Sequence, residues 1–440
     1  MLFKEIFYNF VPMKVKPSHL LSAILVFAAV VCSGCGSARH AHRNQQPDVA
    51  LQGLNAPTTE ANVDKSHNAV AVSEAPLSPL AVLQNQLTAL TQDSIARFSQ
   101  LGLRVVDLTD GIVLFSCGEA QRMRPASSEK LVTAIAALHH LGPNYRFTTS
   151  LASTADIVDG TLRGDLYVRG AMDPLLTAAD VRALATKLRD SGVRTVRGRI
   201  VADATLKDKD DYGWGWCWDD DNPVLSPMLV GGKPALSTAL QNALRGAGVR
   251  VTVPVVVNGQ TPTSARVLAA VSRTLTDVLQ PMLKQSDNLC AEAVFYQLGP
   301  TRDVVATRIN SLLDSIGCDV SGSNVADGSG LSLYNYQTAN TFTTLLTFAA
   351  SRPDSIFNPL LQAMPIASVD GTLKRRMADT PAANNVRAKT GSVTAISTLV
   401  GYTTQRSTGH LIAFAILNQG LHNMAEGRQL QDKICAVLSQ

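Results

Sequence analysis

From about Arg146 to Ala265 the hydrophobic period of the chain switches repeatedly, and that alternation narrows the fold more than any other feature. The segments "GDLYVRG" and "VRGRIVAD" read as short strands. "AADVRALATKLRDSG" and "STALQNALRGAG" read as helices, and "VRVTVPVVVNG" closes the block as a strand. Strands interleaved with helices bury sheet against helix, so the block is expected to form a smaller α/β domain over 148–265. The chain has 440 residues, enough for one large core or two to three ordinary ones.

On either side the pattern is different. Leu83, Leu87 and Leu90 hold helical spacing, and "LRVVDLTDGIVLFSC" sets two apolar runs around Asp110-Gly111, a hairpin signal. Leu131, Val132, Ile135 and Leu138 again hold helical spacing, stopped by Gly142-Pro143. A helical region is expected over 273–318. The end of the chain reads strand, turn, strand, helix through "VRAKTGSVTAISTLVGYTT", "HLIAFAILNQG" and "MAEGRQLQDKICAVLSQ". Residues 79–147 and 266–440 are therefore expected to make a second, larger domain around the 148–265 block.

The N-terminus reads as an address. Lys14 and Lys16 precede an apolar run from Leu20 to Val31, and the small residues "CSGCGSA" follow. This is an export signal over 1–38, too short to span a bilayer comfortably, with Met1 and Met13 both fitting as the start. Cys35, after Ser33-Gly34, resembles a bacterial lipoprotein acceptor, although Cys32 stands where an aliphatic residue is usual. Lipidation at Cys35 and ordinary cleavage nearby both stay open. Residues 39–78 are polar and without period, so they are read as a disordered tether. The expected location is exported and periplasmic, with lipid anchoring if Cys35 is modified.

Composition excludes several classes. With 39 basic and 35 acidic residues the net charge is +4, and both signs are spread along the chain. There is no basic stripe for nucleic acid, and the only membrane contact expected is through the N-terminal signal or a lipid anchor. Cys117, Cys217, Cys290, Cys318 and Cys435 are scattered and odd in number, which favours buried free thiols over a disulfide framework. No metal-ligand spacing is present, and no cofactor is expected; adjacent His139-His140 on a helix face different directions.

Three short segments carry chemistry. In "PASSEKLVT", Ser127 precedes Lys130 by three residues, so on a helix both side chains share one face. A serine becomes a nucleophile when a neighbour takes its proton, and a lysine neutralised by burial and nearby positive charge can do so. The same pattern also suits a plain helix start, since serine is common there. In "KQSDNLCAEAVF", Ser286-Asp287-Asn288 stand before a helix, where all three are good caps. In "RAKTGSV", Lys389-Thr390-Gly391-Ser392 lie in a strand-like run, and glycine there marks a bulge or the close approach of a ligand or backbone. In this order, SxxK, SDN and KTG are the set found in serine β-lactamases and penicillin-binding proteins.

With "LGPNYRFTTSL", "GTLRGDLYVRG", "GWGWCWDDD", "ADGSGLS" and "VDGTLKRRM" added, residues 80–440 resemble the D-alanyl-D-alanine carboxypeptidases/endopeptidases of the low-molecular-mass class C penicillin-binding proteins. The resemblance implies a β-lactamase/transpeptidase-like α/β (α+β) domain, an antiparallel sheet flanked by helices, with a smaller α/β domain inserted between SxxK and SDN. It implies a hydrolase acting on peptidoglycan stem peptides and acylated by β-lactams, without metal or organic cofactor. Ser127 would attack the D-Ala-D-Ala carbonyl and Lys130 would be its base. Ser286 would relay a proton to the leaving amine, and Asn288 would hold the substrate backbone. Lys389 would lend charge and keep Lys130 neutral by repulsion. Thr390 and Ser392, on either side of Gly391, would bind the terminal carboxylate, and the N–H groups of Ser127 and Ser392 would form the oxyanion hole.

Trp214, Trp216 and Trp218 alternate, which would put them on one face of an extended segment, and by resemblance Asp220 would bind the amine of the stem-peptide side chain. Two departures stand out. Leu333 follows "DGSGLS" where relatives that read diaminopimelate often carry arginine, and the family's "GGGDP" is "GAMDP" at Gly170–Pro174. Two other readings remain: a serine β-lactamase, or a non-catalytic cell-wall binder or antibiotic sensor. Against the first, Glu292 is the only glutamate between SDN and KTG, inside the helix. Against the second, Ser127, Lys130 and Lys389 are all retained.

Overall fold

The computed structural model describes residues 77–440. The export signal with Cys35, and the tether up to residue 76, lie outside the described residues.

Two apolar runs near the C-terminus and the first hairpin build the main sheet. Its five strands run in the order Arg387–Val393, Ile396–Thr404, Leu411–Gln419, Gln100–Asp107, Ile112–Cys117. Every neighbouring pair is antiparallel. Both faces of the central strands are covered, which is why "LIAFAIL" is continuously apolar instead of alternating. Val400, Tyr402, Ala415 and Leu417 face one core, with the helices Glu129–Leu141, Leu275–Lys284, Asn288–Phe295, Arg302–Ser315 and Ala339–Ala350. Leu399, Phe414 and Ile416 face the other, with the helices Pro79–Thr91 and Met424–Leu438. This is the expected antiparallel sheet between helical layers.

Within "VRAKTGSVTAISTLVGYTT" lies a hairpin and not a single strand. Val393 pairs with Ile396, and Ala395 closes the turn at φ +61°. Nothing in the apolar pattern marks so short a connection. Arg387–Val393 is thereby left at the edge of the sheet.

The second sheet runs Val256–Asn258, Ile200–Asp203, Leu166–Arg169, Arg146–Ser153, Arg266–Thr274. Helices Ala178–Asp190 and Leu236–Gly246 supply its core. Two boundaries differ from the sequence reading. Arg266–Thr274 pairs along Arg146–Ser153, so the sheet occupies 146–274 and not 148–265. Its mostly half-buried residues suit an edge strand, and its partner lies more than a hundred residues away in sequence. The closing strand is also two pieces interrupted at Pro254, which has no N–H for a ladder. Arg250–Val251 joins a small sheet of two-residue strands, and Val256–Asn258 joins the five-stranded one. In "GAMDP", Met172 occupies φ +53°, a conformation glycine adopts freely, and its side chain is fully buried.

At one end of the main sheet His410 Nδ1 lies 2.7 Å from Asp107 Oδ2. The hydrogen bond to Asp107 holds His410 above its ordinary 6.5. Burial pushes Asp107 up, but the His410 bond and the Asp110 and Thr109 N–H groups outweigh it and hold the carboxyl below 3.8. The histidine's stabilising effect is complete below pH 6.5 and fades as pH rises through its raised value; that of Asp107 fades as pH falls below 3.8. The melting temperature is therefore expected to decline as pH rises above 6.5. His410→Gln should remove part of that decline; an unchanged slope would contradict the pairing.

Candidate active site

The segment that opens the first buried helix does two jobs. Ala126–Ser128 forms a 3-10 turn that leads into Glu129–Leu141. Ser128, Glu129 and Lys130 are fully buried, whereas Ser127 is half-buried at the surface of the turn. Ser128 makes no capping bond. Its hydroxyl meets Thr398 Oγ1 at 2.7 Å, and Thr398 donates to Pro125 O at 2.9 Å. The turn is thus pinned to the sheet, and Ala126 takes φ +47° to present Ser127.

Lys130 is the centre of the site. Its Nζ lies 3.1 Å from Ser127 Oγ and donates to Asn288 Oδ1 at 2.8 Å and to Ser329 O at 2.7 Å. Lys389 Nζ donates to Ser286 Oγ at 2.9 Å and to Thr390 O at 2.6 Å. The Ser-Asp-Asn segment is both cap and site: Asp287 accepts from Cys290 N at 2.8 Å, while its neighbours face the two lysines. Ser286 sits at φ +64°, a left-handed conformation that costs a non-glycine residue about 1 kcal/mol or more. The structure therefore brings together Ser127, Lys130, Ser286, Asn288 and Lys389.

Burial dominates the electrostatics. It pushes Lys130 down to about 8, against the opposing charges of Asp327, Glu292 and Asp287. Lys389 is held well below 10.5 by burial first and by Lys130 second. Desolvation is thus the leading cause of the lowering on both lysines, and the repulsion between them acts in the same direction on Lys389. Burial and Asp327 push Glu292 up to about 8. Burial likewise raises Glu129 well above 4.5, with Asp327 and Glu292 adding to it.

Two glycines set how closely these pieces approach. A Cβ on Gly391 would stand 2.2 Å from Thr398 Oγ1 and 2.5 Å from Pro125 O. One on Gly330 would stand 1.9 Å from Ala126 O, and its φ is +84°. The Lys389 strand and the Gly328–Gly330 strap therefore close on the Ser127 turn only because both positions lack a side chain.

The expected binding residues fall into two groups. Thr390 is half-buried beside Lys389 and donates to Thr372 Oγ1 at 2.9 Å, while Ser392 is exposed on the same strand. Asp220 is exposed on a separate loop, and its N–H bonds Cys217 O. The three tryptophans do not share a face, because Gly215 at φ +76° breaks the extended run. Trp216 packs inward and donates to Asp327 Oδ2 at 2.7 Å, Trp214 stacks on Tyr334 with ring centroids 4.2 Å apart, and Trp218 is 93% exposed. Leu333 is exposed beside that stack, its N–H bonded to Gly215 O.

Residues not foreseen are the Ser329 carbonyl, Thr372, Asp327 and the indole of Trp216. Asp327 accepts from Gly330 N, Ser332 N, Asn335 Nδ2 and Trp216 Nε1, which makes it the anchor of the strap. The signal was "DGSG", where an acid beside two glycines marks a tight loop. All five cysteines among the described residues are free. Among those residues, the group of metal-ligand types close enough to share an ion is Asp107, Asp110 and His410, outside this site.

The comparisons with known proteins agree with this arrangement. A family model described as the D-Ala-D-Ala carboxypeptidase 3 (S13) family matches residues 83–229 and 232–440. D-alanyl-D-alanine carboxypeptidase DacB of Haemophilus influenzae is 28% identical over 408 residues, 72% of this chain and 84% of that one. Carboxypeptidase DacB of Mycolicibacterium smegmatis is 31% identical, over 76% of this chain and 79% of its own. The crystal structure of penicillin binding protein 4 from Haemophilus influenzae superposes with a TM-score of 0.71 at 24% identity, covering 79% of this chain and 97% of its own. A buried lysine beside a presented serine, on this fold and with a family match spanning nearly all the described residues, places the chain among serine peptidases: it belongs to the D-Ala-D-Ala carboxypeptidase 3 (S13) family.

Proposed function

We propose that this chain is a serine D-Ala-D-Ala carboxypeptidase, D,D-endopeptidase, or both, acting on peptidoglycan stem peptides through an acyl-enzyme, and that penicillin acylates the same serine. The observation that carries this reading is the fully buried Lys130 with Nζ 3.1 Å from Ser127 Oγ. A neutral lysine has two N–H donors and one lone pair. Asn288 Oδ1 and Ser329 O take the donors, which turns the lone pair towards Ser127.

Ser127 Oγ then attacks the carbonyl carbon of the terminal D-Ala-D-Ala amide while its proton passes to Lys130 Nζ. The N–H groups of Ser127 and Ser392 stabilise the oxyanion. Ser286, held by Lys389, delivers a proton to the leaving amine as the C–N bond breaks and takes up in exchange the proton that Lys130 accepted from Ser127, which leaves Lys130 neutral again. Water then hydrolyses the ester and returns the proton to Ser127. A terminal carboxylate beside Lys389 supplies the counter-charge that burial denies it, and the Thr390 and Ser392 hydroxyls complete that contact. The sheet edge at Arg387–Val393 offers a strand along which an extended peptide can lie. Asp220 is the residue we assign to the stem-peptide amine.

Against a β-lactamase, Glu292 is 1% exposed and its Oε1 is bonded to Gly328 N–H at 3.1 Å, which suits holding the strap and not activating bulk water. We also read residues 1–38 as an export signal and Cys35 as a lipid acceptor, on the strength of Lys14, Lys16 and the apolar run to Val31. No helix among the described residues is long and apolar enough to cross a membrane. The sheet over 146–274 we treat as an inserted domain.

Defined muropeptides incubated with the protein should lose a terminal D-Ala or a D,D cross-link by mass spectrometry; neither change would refute the activity. The rate of acylation by a fluorescent penicillin should rise with pH through about 8, as Lys130 loses its proton. A flat profile would remove Lys130 as base. The penicilloyl-enzyme should decay slowly, so rapid steady-state penicillin turnover would favour the lactamase reading.

A further inference from the structure

Lys130 is held from behind by a strap whose own support is a carboxyl group. Gly328 N–H donates to Glu292 Oε1 at 3.1 Å, and the Ser329 side chain bonds the same carboxyl. Thr133 Oγ1 donates to Gly328 O at 2.8 Å, and Gly330 N–H to Asp327 Oδ1 at 2.7 Å. These bonds fix the Ser329 carbonyl, which accepts from Lys130 Nζ at 2.7 Å. A Cβ on Gly328 would stand 2.5 Å from Phe295 Cβ, so the strap lies directly on the helix that carries Glu292.

We propose that Glu292 is a positioning residue: through the Gly328–Ser329 strap it aims Lys130 at Ser127, and by competing for the same proton it sets the pH range in which Lys130 is neutral. This rests on Lys130 being the base. The groups that face the lysine are few. They are Asp287, Cys290 and Glu292 around the helix Asn288–Phe295, Asp327 on the strap, and Lys389 on the edge strand. Facing Glu292 are Asp327, Lys130, Tyr296 at the end of its own helix and Glu129 at the start of the helix Glu129–Leu141.

Asp327 accepts four hydrogen bonds and stays committed to the strap. Glu129 Oε1 accepts from Gln337 Nε2 at 3.2 Å, and its Oε2 is buried without a partner, as suits a carboxyl kept neutral. Glu292 is the buried carboxyl bonded to the strap that holds Lys130, and burial with Asp327 pushes it up while burial pushes Lys130 down. One proton on the pair can therefore sit in two ways. On Glu292 it leaves Lys130 neutral and active. On Lys130 it leaves an ammonium that cannot deprotonate Ser127.

Glu292→Gln preserves the acceptor for Gly328 N–H but cannot hold the negative charge that draws the proton to Lys130. The acid limb of the acylation profile, read with a fluorescent penicillin, should move to lower pH by about one unit. A limb at the wild-type position, whatever the change in maximal rate, would overturn the proposal, since a merely structural role alters the rate and not the midpoint. Should the variant fail to fold, infrared spectra of the wild-type protein decide. A buried carboxylic-acid C=O band must give way to carboxylate over the same pH range as the limb. A band that does not change there would belong to Glu129 alone and would equally overturn it. Failure of the base assignment is distinguishable, because the wild-type profile itself would then have no limb.

Discussion

The site is organised around a lysine side chain buried without solvent contact. Removing an ammonium from water is costly unless hydrogen bonds compensate, and the surroundings here, burial first and against the nearby acids, favour the neutral amine by a net on the order of 3 kcal/mol, the drop from 10.5 to about 8. Three elements that are distant in sequence converge to bear that cost: the Ser127 turn, the cap of the helix Asn288–Phe295, and the Gly328–Gly330 strap. Each gives Nζ one partner. Two of those partners are a carbonyl and an amide oxygen that cannot give up a proton, so Ser127 is the one that can.

Close approach follows from the same requirement. Gly391 lets the edge strand press on Pro125 and Thr398, and Gly330 lets the strap reach the carbonyl of Ala126. Ala126 and Ser286 both adopt left-handed backbone conformations next to reactive groups. Strain placed there is tolerated because the two cores on either side of the main sheet fix the surrounding helices. Packing and chemistry are therefore not separable in this region: the hydroxyl pair Ser128–Thr398 holds the turn that presents Ser127.

Much of this was legible in the sequence, for reasons that differ by element. Helices such as Glu129–Leu141 and Ala178–Asp190 announce themselves by apolar spacing and by their stops or caps. The five reactive residues were legible as spaced motifs, each ambiguous alone and specific in order. What escaped was set by tertiary context. The edge strand Arg266–Thr274 carries a short apolar run over 267–271, whose pairing with Arg146–Ser153 no local pattern specifies, and the tryptophans alternate in sequence but Gly215 turns the chain between them. Local spacing also cannot reveal that a backbone carbonyl, Ser329 O, is a partner of the lysine, nor that Glu292 supports it.

The most direct test of the central claim is where penicillin attaches. Peptide mapping of the benzylpenicillin-treated protein by mass spectrometry should place a single covalent adduct on Ser127, in the peptide that ends at Lys130, and Ser127→Ala should carry none. An adduct on another residue, or undiminished labelling of the Ser127→Ala protein, would contradict the account.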